Sequence, residues 1–163
     1  GCDLLVTLGG ASVGEHDLVR RALGPQGFTL DFWKIAMRPG KPLIFGRVGA
    51  LPLLGLPGNP VSTLVCALLF LRPAIAAMLG TDTDFPLLAA RLASALPAND
   101  SRQDYLRARL TLVKGAWEAE PFVLQDSSML GALARADALI LRRPQAPAVL
   151  AGARVEILPL DAI

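Results

Sequence analysis

Two cysteines, one histidine and one tyrosine are all that the 163 residues contain of those types, and aromatic residues amount to only 6%. Cys2 and Cys66 lie far apart in the chain, so no zinc-site spacing exists. Cys66 sits among Val65, Ala67, Leu68 and Leu69, which marks it as a buried thiol in a reducing compartment. His16, the sole histidine, is expected to face solvent on a helix and not to act as a base. Charge is scarce too: 18% of residues are Asp, Glu, Lys or Arg, against about 25% in typical soluble domains. The net charge is +2 and the basic residues are scattered, so no nucleic-acid footprint is indicated and small anions are the better candidate ligands. No basic segment leads into a short apolar run with a small-residue cleavage site, so nothing points to export, and a cytoplasmic location is expected.

Apolar residues, by contrast, make up 53% of the chain, with a mean hydropathy of +0.47. Such a composition predicts apolar surface covered by another subunit, by a neighbouring segment, or by both. The length suits one ordinary domain or two small ones. Val61 to Leu79 is about as long as a membrane span, with Arg72 its only charge. Arg72 and Pro73 fall inside it and Ser62 and Thr63 make its start polar, so the expectation is a core helix and no membrane partner.

The run Asp3 to Leu8 reads as a strand buried on both faces, ended by Gly9-Gly10. A helix is predicted from about Glu15 to Leu23, stopped at Gly24-Pro25. Phe28 to Ala36 reads as a strand, interrupted by Arg38-Pro39-Gly40-Lys41-Pro42. Leu43 to Val48 and Leu51 to Leu56 form a hairpin about Gly49-Ala50. Pro57-Gly58-Asn59-Pro60 then ends the strand, with Asn59 as N-cap and Pro60 at the first position of the long apolar helix. That order is the later half of a three-layer α/β domain. From Pro86 the pattern alternates: Pro86 to Leu96, Tyr105 to Val113, Trp117 to Val123, Ala138 to Leu141 and Ala153 to Leu158 are expected strands, with a turn at Lys114-Gly115 and a short helix within Asp126 to Arg135. A small β-barrel or sandwich is the economical outcome, giving units at 1–84 and 85–163.

Four groups of residues could carry chemistry. Gly9, Gly10, Ser12 and Gly14 lie between a strand and a helix, where backbone N–H groups and the helix dipole suit a phosphate. Glu15 and Asp17 follow, and carboxylates beside bound phosphates suit a bridging Mg²⁺; capping of the helix dipole is the plainer alternative. The loop lacks the Walker lysine and the dinucleotide fingerprint. Lys34, Arg38, Lys41 and Arg47 cluster about Pro39-Gly40, where an anion would offset them; a solvated loop is the alternative. Pro57, Gly58, Asn59, Pro60 and Ser62 form a stiff second turn, expected at the same sheet edge as the first. Finally Arg102, Arg107 and Arg109, with Ser127-Ser128 at a helix start, suit a tetrahedral oxyanion; surface arginine and N-capping serine are the alternative.

The motifs GGASVGEHD, KIAMRPGKP and LPGNPVS, in that order, resemble the MoeA/gephyrin E-domain family of molybdopterin molybdenumtransferases. The likeness is strong over residues 3–80 and looser over DYLRARL and DSSMLGALARADALI. It implies a partial three-layer α/β/α molybdopterin-binding domain, whose earlier strands and helices are missing, followed by a small β domain. It also implies the reaction, in which adenylylated molybdopterin plus molybdate gives molybdenum cofactor and AMP, with Mg²⁺. On the matching motifs, Ser12 and Asp17 would handle the adenylylated substrate and the metal, and Lys34, Arg38 and Lys41 would form the basic cluster. Pro57 and Pro60 would stiffen the second loop, and Lys41, Pro42, Arg107 and Ser127 or Ser128 would meet the oxyanion. Arg38 stands where the family often has lysine, which changes the hydrogen-bond geometry. Family enzymes are homodimers supplied by a molybdopterin adenylyltransferase, so this chain by itself is expected to have little activity. The alternatives are an adenylyltransferase-like domain, which normally stops before a β-module, and a non-catalytic scaffold of the same fold.

Overall fold

The computed structural model describes residues 1–9, 16–126 and 130–160, without the side chains of His16, Asp17 and Arg20. The chain divides into two compact units, residues 1–35 with 39–83 and residues 36–38 with 84–163.

In the first unit β1 (Leu5–Leu8), β2 (Phe28–Phe32), β4 (Ile44–Val48) and β5 (Leu51–Leu56) form a sheet in the order β1-β5-β4-β2. β1 and β5 are parallel, and the other pairs are antiparallel. The β4–β5 hairpin turns at Gly49-Ala50, with Gly49 at φ +60°, as two-residue hairpins of a right-twisted sheet require. Helix α1 (His16–Leu23) covers one face, where Val19, Ile44 and Leu53 are buried and Leu5, Phe28, Leu30 and Trp33 close around them.

Three expectations for this unit are corrected. β1 is not buried on both faces: Val6 and Leu8 are 37% and 74% exposed, because β1 is an edge strand of the described sheet. β2 ends at Phe32, after a register shift between Leu30 and Phe32, and Ala36 belongs to the other unit. The long apolar helix is three consecutive pieces, α2 (Pro60–Cys66), a π-helical turn Ala67–Leu71, and α3 (Arg72–Leu79). It is a core helix only at its start, where Val61, Val65 and Cys66 are buried. By length and composition it could cross a membrane, and 22% of its most apolar 18-residue stretch is buried. Leu64, Ile75, Met78 and Leu79 face outward.

The second unit is a closed five-stranded barrel. β6 (Leu88–Leu92), β7 (Gln103–Val113), β8 (Ala116–Pro121), β9 (Ala138–Arg142) and β10 (Arg154–Pro159) run β7-β8-β6-β10-β9, and a β7–β9 pairing closes the ring. β6 and β8 are parallel and the rest antiparallel. A ring this narrow cannot take a large side chain at every inward position, which fits Ala90, Ala108, Ala119 and Ala138 interleaved with Leu92, Ile140, Val155 and Ile157 in its core. The β7–β8 turn places Lys114 and Gly115 at φ +50° and +80°. β6 ends at Leu92, not Leu96, and Leu96 instead bridges Val149. β3 (Met37–Arg38) adds to β7 in parallel, so three residues expected in the first unit serve the second. A short helix α4 (Leu130–Leu133) precedes β9.

Candidate functional site

Parallel pairing of β1 with β5 aligns Leu8 with Leu56, so the two glycine-bearing turns start side by side. The N–H of Gly9 donates to the Leu56 carbonyl at 3.0 Å. A Cβ on Gly58 would stand 3.4 Å from the Gly9 Cα, and Gly9 itself has φ +77°. A side chain at Gly9 would strain the first turn through that positive φ, while one at Gly58 would meet Gly9 at ordinary contact distance.

The second turn is stiff for reasons visible in its bonds. The Asn59 side chain accepts from the Ser62 N–H at 3.2 Å, and Thr63 Oγ1 donates to the Asn59 carbonyl at 2.9 Å and to that of Pro57. Pro60 occupies the first helical turn and Ser62 is buried. Asn59 is thus an N-cap, as the sequence predicts.

Antiparallel pairing brings two lysines to the same edge. β4 starts at Ile44 opposite Gly55, which places Lys41 and Pro42 just beyond that edge. β2 ends there also, with Phe32 opposite Phe45, followed by Lys34. The Ile35 N–H donates to the Lys41 carbonyl at 3.0 Å, tying the two segments together. Lys34 Nζ lies 3.6 Å over the Trp33 ring, a cation–π contact that leaves its charge intact. The Cys66 thiol, pushed up to about 12 by burial, lies 3.8 Å from the Gly40 carbonyl. Arg47 does not join them: it pairs opposite Pro52, towards the hairpin end of β4.

Arg38 also leaves that cluster. It lies in the second unit, where Nε and Nη2 donate to Asp104 at 3.0 and 2.5 Å. Asp104 is 7% exposed in its side chain, and a buried carboxylate demands such a partner. Asp100 lies 3.5 Å from Nη1, and its carboxyl is held at about 2, chiefly by hydrogen bonds from Arg102. Neither acid was singled out from sequence; an acid within an alternating strand was the available signal for Asp104.

Arg107 is buried at 2% exposure, and burial lowers its pKa while Asp126 opposes that shift. Its N–H and Nε donate to Gln125 Oε1 at 3.0 and 3.3 Å, and Nη2 donates to the Asp126 carbonyl at 3.0 Å. Gln125 Nε2 returns bonds to the Arg107 and Phe122 carbonyls at 3.0 and 2.8 Å. The side-chain amide behaves like a strand partner, and Arg107 holds the segment that leads to Ser127. Arg38, Asp104 and Gln125 line one cavity of about 580 Å³, with Leu96, Leu106 and Phe122 among its apolar walls. Arg109 is exposed on β7.

Gly10, Ser12, Gly14, Glu15, Ser127 and Ser128 lie outside the described residues, as does the side chain of Asp17. Among the described residues no three His, Cys, Asp or Glu side chains gather as a metal site.

The fold is that of a two-unit α/β and β-barrel protein, with two glycine-bearing turns starting at one sheet edge and Arg38 and Arg142 among the residues lining the barrel unit's cavity. Residues 1–77 match the family model of a probable molybdopterin binding domain, and residues 89–160 match that of the MoeA C-terminal region, domain IV. The chain is 34% identical over 162 residues to the molybdopterin molybdenumtransferase of Haemophilus influenzae, covering 98% of this chain and 40% of that protein. It is 34% identical over 140 residues to the Bacillus subtilis molybdopterin molybdenumtransferase, covering 85% of this chain and 33% of that one. The crystal structure of the molybdopterin biosynthesis MoeA protein from Pyrococcus horikoshii matches with a TM-score of 0.74 at 27% identity, over 96% of this chain and 37% of that chain. The chain belongs to the MoeA family, of which it carries the molybdopterin-binding and C-terminal regions. It spans 40% or less of the length of these relatives.

Proposed function

We propose that the chain contributes to molybdenum cofactor biosynthesis, as the part of a molybdopterin molybdenumtransferase that holds the pterin phosphate and the metal oxyanion. In that reaction water cleaves the phosphoanhydride of adenylylated molybdopterin and AMP leaves, while the two dithiolene thiols replace oxygens of molybdate, which depart with the thiol protons as water. Both changes concentrate negative charge, so fixed donors and cations are the main need. The observation that carries the reading is the shared sheet edge, where Gly9 contacts Leu56 and Gly58 and where the strand ends bring Lys34 and Lys41. Gly9, Gly10, Ser12, Gly14, Pro57, Gly58, Asn59 and Pro60 would present backbone groups to the pterin phosphate, and Lys41 and Lys34 would balance its charge. Arg107 acts through the segment that leads to Ser127 and Ser128. Glu15 and Asp17 would hold Mg²⁺, which supplies charge to the phosphate oxygens.

The barrel favours this reading over an adenylyltransferase-like one, because residues 89–160 match the MoeA C-terminal region. A cytoplasmic homodimer fed by a molybdopterin adenylyltransferase completes the proposal, and the chain alone is expected to release little AMP. Calorimetric titration of the chain with molybdate and with AMP tests the binding. Lys41→Ala is expected to weaken binding about tenfold, the effect of losing about 1.4 kcal/mol of charge-assisted contact. Unchanged affinity for both ligands in Lys41→Ala and Lys34→Ala would remove the site from this edge.

A further inference from the structure

One extra residue in β2 decides where two of its aromatic rings go. Leu30 stands opposite Gly46 and Phe32 opposite Phe45, so β2 advances two residues where β4 advances one. A bulge of this kind turns the side chains that follow it to the other face. Phe28 and Leu30 pack on the buried core of Val19, Ile44 and Leu53, and strict alternation would send Phe32 there next. Instead Phe32 lies outside, its ring 5.7 Å from that of Phe45, and Trp33 takes the inward place against the same core. The indole fixed in this way carries the Lys34 Nζ 3.6 Å from its ring centroid. Lys34 is exposed, and an exposed lysine ordinarily keeps most of its rotamer freedom. Here the ring holds its tip, and the Ile35 N–H bond to the Lys41 carbonyl at 3.0 Å holds the backbone beside it.

We infer that Trp33 is the positioning residue for Lys34: the bulge in β2 seats the indole on the core, and the indole holds the ammonium in place before a ligand arrives. An ammonium resting on a ring is attracted through one side only, and the N–H groups turned away from the ring still serve an anion. An oxyanion then meets a charge whose ordering cost has already been met in folding. The inference rests on the molybdenum-insertion reading, which makes Lys34 a charge-balancing group at this sheet edge. Trp33 acts through Lys34 and needs no contact with the reacting atoms. A tryptophan that merely filled the core would be replaceable by another apolar side chain with no effect on the lysine.

The aromatic face and the ammonium are expected to act as one unit. Trp33→Leu keeps an apolar group on the core, removes the ring, and weakens oxyanion binding about two- to fivefold, the range set by an exposed cation–π contact. Trp33→Phe retains a ring face and recovers most of that loss. Lys34→Met keeps an unbranched side chain without the charge, and in that background Trp33→Leu has no further effect on binding. In a Trp117→Phe background Trp33 is the one tryptophan left, and Lys34→Met is expected to change its emission with no ligand present.

Calorimetric titration of the full chain and these variants with sodium molybdate, and separately with AMP, decides the matter together with the emission spectra. Support is a loss in Trp33→Leu for whichever ligand Lys34→Met also loses, relieved in Trp33→Phe and absent once Lys34 is methionine. A loss that persists in the Lys34→Met background, or that Trp33→Phe does not relieve, overturns the inference, because packing alone then accounts for it. Emission of Trp33 that is the same with Lys34 and with methionine also overturns it, and that comparison leaves Trp33 unsubstituted should Trp33→Leu fail to fold. If the wild-type chain binds neither ligand, the molybdenum-insertion reading fails and the inference falls with it. If Lys34→Met weakens binding but Trp33→Leu does not, only the inference fails.

Discussion

Replacing Gln125 by alanine should unlock the segment that follows β8. The side chain makes four hydrogen bonds, accepting from the Arg107 N–H and Nε and donating to the Arg107 and Phe122 carbonyls. Truncation leaves two donors of a residue that is 2% exposed without their acceptor, and each such loss costs about 1–3 kcal/mol. The Arg107 carbonyl is buffered, since the Phe122 N–H also donates to it at 2.9 Å. Freed glutamine rotamers return about 1.5–2 kcal/mol. The net expectation is a loss of about 2 kcal/mol from the barrel unit. For a unit of this size that lowers Tm by about 8–16 °C. The chain has two tryptophans, so thermal and urea unfolding in a Trp33→Phe background would report the barrel through Trp117 alone. A loss under about 1 kcal/mol would refute the idea that Gln125 serves as a strand partner.

Other expectations follow from single contacts. Asn59→Ala removes the cap of α2 and should cost about 1 kcal/mol in urea unfolding of the first unit. Gly55→Ala would place a Cβ 2.9 Å from Ile44 Cβ and 3.1 Å from Thr7 Oγ1, and overpacking of that kind costs about 1–3 kcal/mol; calorimetric melting checks it. The thiol of Cys66 ionises near 12 in the folded chain against an ordinary 9.0. The unfolded chain therefore loses that proton first, and stability should fall as pH rises from about 9 towards 12, by up to about 1.4 kcal/mol per pH unit. A Cys66→Ala variant should lack that slope in urea midpoints measured between pH 8 and 10.5, and an identical slope in both proteins would contradict the burial argument.

Local chemistry made much of this protein legible in one dimension. The Asn59-Pro60 helix start, the Gly49-Ala50 hairpin and the Lys114-Gly115 turn each depend on residues whose backbone preferences act within a few positions, so tertiary context had little to override. The closeness of Gly9 to Gly58 was also readable, because β1 and β5 are parallel neighbours that end at one edge. The partners of charged groups were not readable. Lys34, Arg38 and Lys41 are close in sequence, yet a two-residue strand paired to β7 takes Arg38 into the barrel unit, against Asp104 and Asp100.

What the sequence determined by itself was therefore the order of elements, the turns between them and the family to which they belong, since those follow from short-range sterics and hydrogen bonding. What only the tertiary structure decided was which cations remain available to a ligand and which are already matched. Arg107 illustrates the division: its position in a β-strand was expected, but its buried pairing with Gln125 and Asp126 spans 18 and 19 residues. No periodicity reports a contact across that distance; strand register and burial select it.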